Sequence, residues 1–136
     1  MSNQFRITQH AVDAKDKSSL LLKIPNFKGK KMLIIGDVGL DEYVLGQVRR
    51  ISPEAPVPVL EAAKEDQRLG LAANVAQNVK SLGGEPIMIG VVGNDSGAQL
   101  LQGLCQQIGV SWETMIYATD RPITRKTRVM SGHHHL

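Results

Sequence analysis

An α/β fold with a Rossmann-type, mostly parallel sheet flanked by helices is what this sequence predicts, and three stretches carry the prediction. Residues 32–37, Met-Leu-Ile-Ile-Gly-Asp, form a short apolar run closed by Gly-Asp, as expected of a parallel strand buried on both faces. Leu71, Val75, Val79 and Leu82 then recur at helical spacing before Gly83-Gly84, which lays one apolar stripe along a helix against the sheet. Residues 87–92, Ile-Met-Ile-Gly-Val-Val, supply a second strand, so strand, helix and strand make a crossover unit.

Composition sets the class. The chain has 136 residues, 42% hydrophobic and 21% charged, with a formal charge of +3 and no block of like charge. That length suits about one domain. Aromatics are 4%, whereas a nucleic-acid binder wants a basic stripe and stacking rings, so no nucleic-acid partner is expected. Cys105 stands alone, which leaves no disulfide framework, and its place in an apolar helical pattern reads as a buried structural thiol. No window approaches the apolar length of a membrane span and the polar N-terminus lacks a signal-peptide core. The expectation is a cytoplasmic protein without a membrane partner.

Taken in order, residues 1–31 are of mixed polarity and read as an N-terminal appendage. Within it, His10 to Ile24 predicts one short helix with Val12, Leu20 and Ile24 on its apolar side, closed by Pro25. The first strand follows at 32–37. Ligands of open parallel sheets bind beyond the carboxyl ends of the strands, which puts Asp37 and Asp41 of Gly-Asp-Val-Gly-Leu-Asp-Glu-Tyr where a ligand would sit. Asp37 reads equally as a turn residue. Asp41 can accept from two sugar hydroxyls at once.

Residues 43–70 change the pattern. Val44, Val48, Val57, Val59 and Leu60 suggest short strands, while Pro53, Pro56 and Pro58 deny a central sheet position. A small antiparallel flap inserted after the first strand accounts for both. It could cover a ligand or pair with a second subunit. The chain then turns tightly at Gly70 into the helix, whose free N–H groups and positive dipole end suit a polyhydroxylated or phosphorylated ligand. Asn74 is the polar side chain in its first turn.

Gly83 or Gly84 ends that helix in a left-handed cap. After the second strand, Asn94, Asp95 or Ser96 caps another helix, with Leu101, Leu104 and Ile108 on one face and Gly109 at its end. Residues 110–118 read as a third strand and residues 123–131 as a fourth of period 2. In the fourth, Lys126 and Arg128 point to one side about 7 Å apart, either to hold a phosphate or as a solvated edge. His133, His134 and His135 have no carboxylate nearby in sequence, so no metal site is expected. There is no P-loop, no Gly-x-Gly-x-x-Gly and no catalytic constellation, so no catalytic residue is identified and the cofactor-binding residues stay unknown.

Gly70, Ala73-Asn74-x-Ala76, six residues to Gly83 and nine more to Gly93 make a spaced pattern. It resembles the first signature of the ribokinase-type, or PfkB, carbohydrate kinase family. Residues 36–43 and the run Arg-Ile-Ser-Pro-Glu-Ala-Pro-Val-Pro-Val at 50–59 are similar, within that family, to the heptose 7-phosphate kinase half of bifunctional ADP-heptose synthases. The likeness covers about residues 32–131, roughly three-quarters of the chain. It implies a ribokinase-like domain, residues 32–136, with a β lid at 43–70 that covers the sugar and commonly makes a dimer. It also implies ATP with Mg²⁺, and phosphorylation at the anomeric hydroxyl of D-glycero-D-manno-heptose 7-phosphate, a step toward lipopolysaccharide. The sugar-binding residues implied are Asp41, Gly70 and Asn74, with Asp37 beside them and Lys126 and Arg128 toward the sugar phosphate. Two departures stand out. The family writes Gly-Gly before Ala-Ala-Asn where this chain has Gly70-Leu71, and the family's downstream Gly-Ala-Gly-Asp, with its catalytic base and anion hole, does not occur here. The resemblance therefore implies an incomplete domain, inactive by itself; the alternatives are a non-catalytic sugar-phosphate-binding or dimerisation module, or a kinase of the same family with another sugar specificity.

Overall fold

The apolar runs and the helical stripe fold as two small sheets that share one core. In the computed structural model, residues 14–132 and 134–136 are described; His10, Val12 and His133 lie outside them. The elements are α1 (Ala14–Lys23), a 3₁₀ turn (Ile24–Phe27), β1 (Lys31–Ile35), β2 (Val38–Ile51), β3 (Pro58–Leu71), α2 (Ala72–Ser81), β4 (Glu85–Val92), α3 (Ser96–Gln107), β5 (Met115–Tyr117), β6 (Thr124–Ser131) and β7 (His134–His135). One sheet has the order β1-β4-β5 and is wholly parallel. The other runs β3-β2-β6-β7, with β2 antiparallel to β3 and parallel to β6.

Helices α2 and α3 pack on one face of the parallel sheet, where Met88 and Val92 meet Ala73, Ala76, Leu101 and Cys105. The expectation that β1 is buried on both faces is corrected. Leu33 is 59% exposed, Ile35 72% and Ile116 58%, and the register puts all three on the face away from α2 and α3, with Ile87 and Val91. The apolar stripe of α2 is corrected too: Val75 is 48% exposed, and it is the small Ala73 and Ala76 that face the core. Small residues there let the helix backbone sit close to β4.

The flap is larger than the sequence suggested. Its two strands have 14 residues each and begin at Val38, so Asp41 sits within a strand and not in a turn. Pro53 and Pro56 fall in the connection and Pro58 opens β3, positions where a missing N–H breaks no ladder bond. The edge strand β3 carries Glu61, Lys64, Glu65, Asp66 and Arg68, charges that blunt unlimited edge pairing. Of the stretch 110–118 only Met115–Tyr117 is strand; Trp112 is instead tucked in before it, its Nε1 donating to the Tyr117 hydroxyl at 2.8 Å. The run 123–131 is a strand, but it extends the flap sheet and leaves the parallel sheet alone. At the N-terminus Pro25 does not end the chain's helical path. It sits in the first positions of the 3₁₀ turn, where proline is tolerated, and Leu20 and Ile24 are solvent-exposed.

Two features follow the sequence closely. Asp95 caps α3, its Oδ1 accepting from Ala98 N at 2.9 Å, and Gly83 and Gly109 take positive φ beyond the two helices. Cys105 is a free, fully buried thiol, and desolvation pushes its pKa up to about 11. An unfolded thiol ionises near 9, so burial of the neutral form stabilises the fold fully below that pH. The contribution is lost as pH rises from there toward 11, because the unfolded state releases its proton first. Carboxymethylation at pH 8 is expected to be negligible on the native chain and fast in denaturant; fast labelling of the folded protein would contradict this burial.

Candidate functional site

The central strand of the flap sheet positions the site. Val38 and Leu40 of β2 point into the core and are buried, so alternation sends Asp41 and Tyr43 to the other face. On either side of Asp41 the register sets Arg68 of β3 and Lys126 of β6; beside Tyr43 it sets Asp66 and Arg128. Paired residues share a face, so Asp41, Tyr43, Asp66, Arg68, Lys126 and Arg128 form one polar surface.

Within it, Asp41 Oδ1 lies 3.1 Å from Arg128 Nη1, with the two side chains 21% and 27% exposed. The contact is Coulombic and misaligned for hydrogen bonding: both atoms are buried and neither has a hydrogen-bond partner. Arg68 Nε and Nη2 donate to Asp66 Oδ2 at 2.8 and 2.6 Å. That hydrogen bond holds the Asp66 carboxyl below the usual range and raises the Arg68 guanidinium. The pair is at the surface, where solvent screens it to little net stability. The guanidiniums of Arg68 and Arg128 both lie over the Tyr43 ring, 4.9 and 5.0 Å from its centroid. On the opposite face the charges are committed to one another: Glu42 takes Arg125 Nη1 at 3.2 Å and the Thr127 hydroxyl at 2.8 Å.

The remaining sequence candidates are placed as follows. Gly70 is a strand residue opposite Gly39, which corrects the reading of a tight glycine turn there. A Cβ on Gly70 would stand 3.0 Å from Asp41 N and from Gly39 O, so glycine lets β3 lie tight against β2 at Asp41. The turn itself is at Leu71, with φ 55° and ψ −130°, the one positive-φ residue other than glycine among the described residues. Such backbone costs a non-glycine residue roughly 1–3 kcal/mol. Leu71 thus keeps the conformation without being glycine. Leu71→Gly is expected to unfold at higher denaturant than Leu71→Ala by about 2 kcal/mol, since both lose the leucine packing and only one keeps the strain. Equal stabilities would mean the turn relaxes.

Asn74 is in the first turn of α2, exposed and free of hydrogen bonds, and none joins it to Asp41. Asp37 does not sit with the Asp41 cluster. Its carbonyl accepts from Ala72 N at 2.9 Å, pinning the start of α2, and it lines an open hollow of about 410 Å³ with Ile35, Gly90, Val91 and Ile116. A similar hollow of about 440 Å³ is lined by Gln102, Gln106, Trp112 and Tyr117; it carries no converging charges. Lys126 stands on the Asp41 face and makes no ion pair. Sequence reasoning missed Tyr43 and Arg68. Period-2 alternation counted from Val38 would have found Tyr43, and its cross-strand partners required the register. Among the described residues no three His, Cys, Asp or Glu side chains converge as a metal site, and no helix is long and apolar enough to cross a membrane.

Known proteins resemble this chain in sequence and in fold. Residues 30–135 match the family model described as pfkB family carbohydrate kinase. The chain is 49% identical over 109 residues to the bifunctional protein HldE of Hyphomonas neptunium, covering 79% of this chain and 22% of that protein. It is 46% identical over 100 residues to the D-beta-D-heptose 7-phosphate kinase of Bordetella bronchiseptica, covering 74% of this chain and 32% of that one. The chain thus spans a fifth to a third of the length of these relatives. Among solved structures it resembles a carbohydrate kinase from Agrobacterium tumefaciens, with TM-score 0.60, 23% identity, and 75% and 32% of the two chains covered. Arabidopsis thaliana ribokinase complexed with ribose and ATP gives TM-score 0.60 at 17% identity, over 78% of this chain and 33% of that one. These likenesses show a ribokinase-like fold.

Proposed function

This chain belongs to the pfkB family of carbohydrate kinases, and from that premise we propose that it is the N-terminal portion of an ATP-dependent kinase acting on D-glycero-D-manno-heptose 7-phosphate. In this reading residues 1–31 are an appendage, residues 32–136 belong to the kinase domain, and the β2–β3 hairpin is its lid. The observation that carries the sugar assignment is the pairing of Asp41 Oδ1 with Arg128 Nη1, which fixes a carboxylate that stays 21% exposed. A carboxylate accepts at both oxygens. With Oδ1 held by the buried guanidinium nitrogen, the other oxygen is left to accept from a sugar hydroxyl at the surface. Gly70 keeps β3 close beside it, and Asn74 and Asp37 are the outer candidates from α2 and the β1 end. Lys126 and Arg128 are assigned to the sugar phosphate.

ATP is the phosphoryl donor in this proposal, with Mg²⁺. No three His, Cys, Asp or Glu side chains among the described residues converge to hold the ion. What these residues do is bind and orient the acceptor sugar. Phosphoryl transfer needs stabilised charge on the γ-phosphate, and the sequence contains no Gly-Ala-Gly-Asp. Residues 1–136 alone are therefore expected to release no ADP above blank in a coupled assay with heptose 7-phosphate. Turnover by the purified chain would overturn that division of labour. A cytoplasmic location fits an ATP-dependent step, and a homodimer through the lid would use the β3 edge.

Calorimetric titration of the chain with heptose 7-phosphate tests the reading. Saturable heat supports it. No heat from a chain shown to be folded by circular dichroism would favour a module that acts only through the lid, with no sugar site of its own.

A further inference from the structure

We propose that Tyr43 is a positioning residue that holds Arg68 and Arg128 as a two-pronged receptor for a phosphate monoester, with Arg68 the prong that sets specificity. The inference rests on the sugar-phosphate reading above and deepens it by adding residues that the motifs did not single out.

Arg68 comes from β3 and Arg128 from β6, the strands on the two sides of β2. Long side chains rooted on different strands have no reason to share a location unless something between them is attractive to both. Tyr43 supplies that attraction. Its ring face is electron-rich, guanidinium stacks on it well, and both guanidiniums lie about equally far from its centroid. Two cations around one ring repel each other, and an anion beside them relieves that repulsion.

The carboxylates now present leave room for one. Asp66 holds Arg68 at the exposed rim, a screened contact exchanged at small cost. Asp41 engages the buried Nη1 of Arg128, while the side chain as a whole stays 27% exposed, which leaves part of it open to an anion. A phosphate dianion offers each Arg a geometry its fork matches. Lys126, set opposite Asp41 on the same face, adds a third cation. A phosphate dianion gains from Arg68 a charge-assisted bond stronger than any a neutral hydroxyl makes, and this is why Arg68 distinguishes phosphorylated from free sugar while Asp41 does not.

The test uses the whole chain, with Arg side-chain Nε–H resonances followed by NMR during titration with inorganic phosphate, against chloride at equal ionic strength. Saturable shifts at both Arg68 and Arg128 are expected. Arg68→Gln and Tyr43→Leu should each weaken phosphate binding about tenfold, the loss of roughly one charge-assisted hydrogen bond. Tyr43→Phe keeps the ring face and should stay within about twofold of the parent. Melting curves for each variant separate loss of the receptor from loss of the fold, and if Tyr43→Leu unfolds, the Arg68→Gln and Tyr43→Phe pair decides. Shifts that do not saturate, or affinities unchanged by removing Arg68, would overturn the proposal. A parallel titration with unphosphorylated heptose on the parent and Asp41→Asn separates the two readings. Heptose binding without phosphate engagement of Arg68 defeats this inference alone, whereas phosphate binding without any Asp41-dependent heptose binding defeats the sugar reading alone.

Discussion

Asp41→Ala is expected to lower the affinity of the chain for heptose 7-phosphate by at least about 30-fold, the loss that follows when one member of a desolvated charged pair is cut away. Two effects add. The carboxylate no longer accepts from the sugar hydroxyl, and Arg128, whose side chain is mostly shielded between β2 and β6, is left without its counter-charge. The second effect also lowers stability, so the informative companion is Asp41→Asn, which keeps the shape and one acceptor and removes the charge. If both variants bind as the parent does by calorimetry, Asp41 is a structural partner of Arg128 and the sugar lies elsewhere. By contrast, neutralising Glu42 on the opposite face of β2 should leave sugar affinity unchanged, because its charge is spent on Arg125 and Thr127.

Gly90→Ala is expected to destabilise the fold strongly. The chain leaves β1 at Ile35 and enters the flap sheet at Val38, and this crossing passes directly over Gly90 of β4. A Cβ there would run into Val38 Cγ2 and stand 2.8 Å from Gly36 O. Val38 is fully buried and its branched side chain is stiff at χ1, so it has little freedom to move aside. Overpacking of this kind costs about 3 kcal/mol, a fall in Tm of about 10 °C for a domain of this size. The consequence reaches the site, because Val38 begins the strand that places Asp41 three residues later. Thermal denaturation checks it; a variant that melts with the parent would mean that the two sheets are not locked together at this crossing.

What the sequence made legible depended on whether a residue's job is local. The cap at Asp95 and the glycines after both helices are set by backbone groups a few residues away, and they were readable. So was the buried Cys105, which follows from helical periodicity. The extent of the flap was not. Prolines at 53, 56 and 58 drew attention to its tip, while its base, Val38 to Asp41, falls before residue 43, where the flap begins as read from the sequence. Only pairing with β3 and β6 makes that stretch a strand. The same gap hid the site's aromatic centre. Asp41 could be nominated from its distance after the first strand, but Tyr43 and Arg68 become meaningful only once register brings three strands together. The α2 stripe failed for a related reason: periodicity shows that a helix has an apolar side, whereas the side that fits closest to a sheet is the one with the smallest residues, here Ala73 and Ala76.

Leu71 holds a positive φ at an energetic cost. The position takes positive φ with a leucine, so the entry into α2, and with it Asn74, retains its course. The expected result is a chain that binds its sugar but folds less stably than a glycine-bearing counterpart would.

The most direct test of the central claim is a backbone amide NMR titration of the 136-residue chain with heptose 7-phosphate. The account predicts the largest saturable shifts at Asp41, Tyr43, Gly70, Lys126 and Arg128, the residues that share one face of the flap sheet. Shifts centred instead on Trp112 and Gln106, or on Ile35, Val91 and Ile116 of the bare sheet face, would contradict it.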